Sequence, residues 1–151
     1  MSDTVEGLFS DAEINQQALA NASALPYLMV AFARWCGKTP EDAAAFSGHI
    51  FAPGWARFTG SGAYDVLRVI ALNIVCCGGE VEQLSGNAEA AEARIAGVPV
   101  RDEADFFGIS TDEADRYSAV FAPIAEPLGF TFSWRREGNA LVYSLRRVES
   151  S

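Results

Sequence analysis

Phe130-Thr131-Phe132-Ser133-Trp134-Arg135-Arg136-Glu137-Gly138-Asn139-Ala140-Leu141-Val142-Tyr143-Ser144-Leu145-Arg146-Arg147 is the stretch that decides the fold class. Phe130, Phe132 and Trp134 alternate with Thr131, Ser133 and Arg135, and Leu141, Tyr143 and Leu145 alternate with Val142, Ser144 and Arg146. A period of two on both sides of Glu137-Gly138-Asn139 predicts a β-hairpin with one apolar face. A second, weaker hairpin is expected from Glu80–Ser85 and Ala91–Val98, turning near Gly86-Asn87. The residues from Ala88 to Ala93 suit a helix equally well.

The remaining segments have helical spacing. Ser10-Asp11-Ala12-Glu13 has the form of a capping box, so a helix should start at Asp11 and carry Ile14, Ala18, Leu19, Ala22 and Leu25 on one stripe. Pro26 lacks an N–H, which predicts a break or kink between Ala24 and Pro26 before the helix resumes from Tyr27 to Cys36. Gly37 suits a left-handed cap, and Thr39-Pro40-Glu41-Asp42 opens another helix that reaches about His49. Gly62 to Cys77 is the most apolar segment, with Ser61 as its expected cap and Gly78-Gly79 as its stop. Ser110-Thr111-Asp112-Glu113 starts a last helix whose apolar face is Ala114, Tyr117, Val120, Phe121 and Ile124, ending before Pro127. Helices, hairpin, helix, hairpin make an α+β domain with helices packed on one face of an antiparallel sheet. The expected division is a flexible N-terminus over 1–9, a single α+β domain over 10–147 and a flexible C-terminus over 148–151.

Composition narrows the function. Half of the 151 residues are apolar and 21% are charged, enough for one domain with a sizeable core. With 11 basic and 20 acidic residues the net charge is −9, which argues against nucleic acid and against an anionic membrane surface as partners. Asp3 and Glu6 stand where a secretory signal would be basic and then apolar, so a cytoplasmic location is expected. Cys36, Cys76 and Cys77 are odd in number, favouring free thiols, and the last two are expected as small buried residues.

Motifs for chemistry are few. Asp102-Glu103-Ala104-Asp105 and Asp112-Glu113-Ala114-Asp115 repeat one acidic string, best explained as a solvated loop and a helix N-terminus. Nucleotide hydrolysis is excluded because Gly37-Lys38-Thr39 follows a helix and Phe32 stands where a phosphate loop needs its first Gly. His49 is the sole histidine, so no histidine metal cluster can form, and neither a metal nor a cofactor is expected. A candidate pocket has aromatic walls, Trp35, Phe51, Trp55 and Phe58, with His49 nearby and Asp65, Arg68 and Asn73 as polar anchors on the central helix.

Pro127-Leu128-Gly129-Phe130-Thr131-Phe132 leads into the terminal hairpin, and Gly97-Val98-Pro99 closes the first one. With this order of elements the chain resembles the four-vinyl-reductase type of ligand-binding domain, itself similar to the Golgi-tethering TRAPP subunits, from about Ser10 to Arg147. That resemblance implies a plait with helices on one face, a dimer, and a pocket for a hydrophobic small molecule between helices and sheet. The terminal hairpin has no cysteine, unlike many bacterial members, and no functional residue is carried over.

The leading expectation is a non-catalytic domain that binds or senses a small, largely apolar molecule as a homodimer. The alternative is a protein interaction or dimerisation module. A third reading is a small hydrolase or isomerase using His49 with Asp65 or another carboxylate.

Overall fold

The computed structural model describes residues 8–149, so most of the two expected flexible ends lies outside the described residues. Within the C-terminal tail, the Val148 N–H donates to Gly129 O at 2.9 Å. The chain forms α1 (Asp11–Trp35), α2 (Pro40–Phe51), a 3₁₀ turn (Ala52–Phe58), α3 (Ala63–Cys76), β1 (Glu80–Gly86) and β2 (Ala90–Ala96). After these come α4 (Arg101–Phe106), α5 (Thr111–Arg116), a run of short turns containing α6 (Ala122–Ala125), and then β3 (Phe130–Glu137) and β4 (Ala140–Arg147). The four strands form one antiparallel sheet in the order β1-β2-β4-β3. The fold is α+β, with helices on one face of the sheet.

The two faces follow the alternation. Phe130, Phe132, Leu141, Tyr143 and Leu145 point inward and meet Ile95 of β2 and the buried face of α3, Val66, Leu67, Ile70 and Ala71. The outer face carries charge: Arg94 pairs with Glu82 and Glu137, and Arg135 pairs with Glu137 and Glu92. These pairs are solvated and each is worth little. Between them Val142 is only 1% exposed, and its register partners on the two neighbouring strands are Arg94 and Arg135, whose long stems suit them to cover an apolar neighbour.

The helix starts are capped largely as their sequences require. Ser10 with Glu13, Thr39 with Asp42 and Ser110 with Glu113 each form a complete capping box. At α3 the expected cap Ser61 is not used. The N-cap is Gly62, and the first N–H groups of the helix, on Ala63 and Tyr64, donate to Ala88 O and Asn87 O in the turn between β1 and β2. Gly62 allows this approach, since a Cβ there would lie 2.9 Å from Ala88 Cα.

Pro26 does not break α1, which runs 25 residues without interruption. Proline leaves the carbonyl four residues earlier without its helical donor. That carbonyl is Ala22 O, and the Cys77 thiol at the end of α3 donates to it at 3.6 Å. Burial pushes the Cys77 thiol up from its ordinary pKa, so it keeps the proton it donates. Cys76 is exposed and Cys77 half-buried, so the two are not the buried pair expected from the apolar run around them. The acidic string at 102–105, expected in a loop, lies in α4, whose Ala104 packs with Tyr27, Val30 and Ile109 in a small second core. The last expected helix is divided into short turns, the first break at Arg116/Tyr117 and the next just before Pro123, yet Val120, Phe121 and Ile124 still face the core.

Candidate functional site

Between α1, α2, the end of α3 and the segment 114–124 lies a cavity of about 570 Å³, with Leu141 and Tyr143 of the sheet also in its wall. This is within the size range of small-molecule sites. Its rim holds exposed apolar side chains, among them Leu25, Ile50 and Phe51. The close approach of α2 to the segment 117–125 fixes one wall. Gly48 sits at their contact, and a Cβ there would lie 2.2 Å from Pro123 Cγ and 2.4 Å from Val120 O.

Polar groups are few and mostly paired. Tyr117 Oη–H donates to Ser47 Oγ at 3.0 Å, joining the segment 117–121 to α2. Ser118 Oγ and Tyr143 Oη share a hydrogen bond of 2.9 Å, joining the same segment to β4. Tyr27 Oη on α1 accepts from Val100 N at 2.6 Å. Burial raises the pKa of all three tyrosines above the ordinary phenol value, which keeps them neutral at physiological pH. Asp115 is the one charged residue in the lining, and it is 5% exposed. Its two oxygens accept from Arg136 Nε at 2.5 Å and Nη2 at 2.6 Å, and Nη2 also donates to Val98 O at 2.8 Å.

Of the residues expected to form the pocket, Phe51, Trp55 and Asn73 line this cavity. Asn73 is exposed and donates to Val69 O within its own helix. Phe58 packs on Trp55, ring centroids 5.5 Å apart, but does not reach the cavity. Trp35 is 89% exposed and points away, because the inward face of α1 is Ser23, Tyr27, Val30 and Ala33 and Trp35 falls past its edge. His49 is exposed beside the buried Ser47 and Gly48, and Asp65 and Arg68 are exposed beside the buried Val66 and Leu67. These four expected site residues do not line the cavity.

The hydroxyl residues Tyr27, Ser47, Tyr117, Ser118 and Tyr143, none of them among the expected pocket residues, do line it. A signal existed: Tyr117 and Tyr143 recur on apolar faces where Phe would serve packing alone, and a buried phenol needs a partner.

No family model, curated protein or solved structure matches this chain. Among the described residues, no helix is long and apolar enough to cross a membrane, and no three His, Cys, Asp or Glu side chains group as metal ligands.

Proposed function

We propose that this protein binds a small, largely apolar molecule in the cavity between its helices and its sheet. The observation that carries the reading is the cavity itself: about 570 Å³, lined by aliphatic and aromatic side chains with a few fixed hydroxyls. The same reading fits the resemblance to four-vinyl-reductase ligand-binding domains, which rests on the order of elements and short strings. The hydrolase or isomerase reading gains no support from the geometry, since His49 lies outside the cavity.

Two measurements test the binding. Native mass spectrometry of gently purified protein, followed by denaturation, is expected to release a bound apolar molecule. The neutral fluorophore N-phenyl-1-naphthylamine is expected to bind emptied protein and to lose at least about tenfold in affinity in Ala22→Trp, which places an indole against the cavity wall. No released mass and no fluorophore binding would refute the reading.

A second reading, self-association, is favoured by the outward face of α1. Ile14, Ala18, Asn21, Leu25, Leu28, Phe32 and Trp35 recur at alternating steps of four and three, the spacing of a coiled-coil seam with one polar position. The described side chains of residues 11–21 are all exposed, and helices in proteins owe most of their stability to packing of an apolar face. We infer that a second copy of this chain covers the seam. Sedimentation is expected to give a dimer for the native chain and a folded monomer for Leu28→Asp with Phe32→Asp. An unchanged mass in that variant would remove the α1 seam as the contact.

A further inference from the structure

Five hydroxyl-bearing residues line the cavity, and the hydrogen bonds among them leave a surplus of donors. Tyr117 donates to Ser47, which leaves the Ser47 hydrogen without an acceptor among the described residues. Ser118 and Tyr143 share one bond between two hydroxyls, which leaves one hydrogen over. Tyr27 uses its oxygen to accept from Val100 N, which leaves its own hydrogen without an acceptor among the described residues. Three hydrogens therefore lack a partner, and all five groups belong to residues that are half-buried or buried. Buried hydroxyl donors normally find an acceptor.

Charge limits what that acceptor can be. The single charged residue of the lining is an acid, Asp115, and both of its oxygens are already held by Arg136. An anion entering the cavity would meet no free cation and would pay the cost of losing its hydration. A cation would have to compete with Arg136 for Asp115.

Resting on the ligand-binding reading above, we propose that the ligand is a neutral, mostly apolar molecule whose carbonyl or ether oxygen accepts hydrogen bonds from these hydroxyls. The raised pKa values of the three tyrosines agree with this, since each phenol remains a donor across the physiological range.

The pairing gives the proposal an unusual signature. Removing one hydroxyl of a pair frees the other, so Ser118→Ala or Tyr143→Phe alone leaves the same number of spare donors. Only removal of both members lowers it, and that change strands no polar atom. The test compares benzophenone, diphenylmethane and diphenylacetate by calorimetry: one carbon framework carrying a carbonyl, no polar group, or a carboxylate. The native protein is expected to bind benzophenone about fivefold more tightly than diphenylmethane, and diphenylacetate more weakly than either. The preference should survive each single substitution in a pair and vanish in Ser118→Ala with Tyr143→Phe, in Ser47→Ala with Tyr117→Phe, or in Tyr27→Phe. Equal affinity for ketone and hydrocarbon, or a preference that persists in all three of these variants, overturns the proposal while leaving the cavity as an apolar site. Tight binding of diphenylacetate also overturns it. Failure of all three probes to bind overturns the proposal, while the released mass and the fluorophore decide the underlying binding reading.

Discussion

Arg136→Met is expected to cost about 3–5 kcal/mol of folding stability, because it leaves Asp115 buried with no partner among the described residues. The expected loss is far above that of the pairs on the outer face of the sheet. Those pairs sit in water, where an ion pair is worth about 1 kcal/mol or less. Asp115, by contrast, is 5% exposed and accepts from Arg136 through both oxygens. The guanidinium also donates to Val98 O, so its loss frees a backbone carbonyl at the cavity wall. Methionine keeps the aliphatic bulk and removes the donors. Changing both partners, Asp115→Leu with Arg136→Met, should recover most of the loss, because the cost comes from the abandoned charge. Urea unfolding of the two single variants and the double variant measures it. A loss below about 1 kcal/mol in Arg136→Met would mean that the pair is solvated like those on the outer face.

The sheet was legible because its signal is local. β3 and β4 alternate over whole strands, and Glu137-Gly138-Asn139 marks the turn, so the observed register, Glu137 opposite Ala140, lies inside the quoted stretch. The capping boxes at Ser10, Thr39 and Ser110 are local too, and each proved to start a helix. The weaker hairpin also formed, in spite of the helix-compatible run from Ala88 to Ala93, because β2 gains a partner on each side, β1 and β4.

Tertiary events were not legible. Nothing near Pro26 announces that a thiol 51 positions later will bond the carbonyl the proline leaves free. Aromatics crowd together in sequence from Trp35 to Phe58, but neighbours along a helix point in different directions. Trp35 therefore ends on the exposed face of α1 while Trp55 lines the cavity. The hydroxyls come from α1, α2, the segment 117–121 and β4, and only the folded chain assembles them.

The packing contact that assembles two of those segments gives the second large effect. Gly48→Ala is expected to destabilise the protein by about 2–3 kcal/mol, the upper range for an overpacked contact. On helix propensity alone the sign is the opposite, since alanine inside a helix is favoured over glycine by about 1 kcal/mol. The geometry decides the sign. A Cβ would stand 2.2 Å from Pro123 Cγ and 2.4 Å from Val120 O, and neither the proline ring nor a backbone carbonyl can rotate away as a flexible side-chain tip could. Relief requires α2 to move off the segment 117–125, which stretches the bond from Tyr117 to Ser47 and displaces one wall of the cavity. Gly54 serves as the control, with nothing within 4 Å of its Cβ position and no positive φ. Gly54→Ala should be neutral or stabilise by about 0.5 kcal/mol through the unfolded chain. If denaturant unfolding showed Gly48→Ala gaining stability as the control does, α2 and the segment 117–125 could not be in contact at Gly48. The wall of the cavity would then have to be drawn without it.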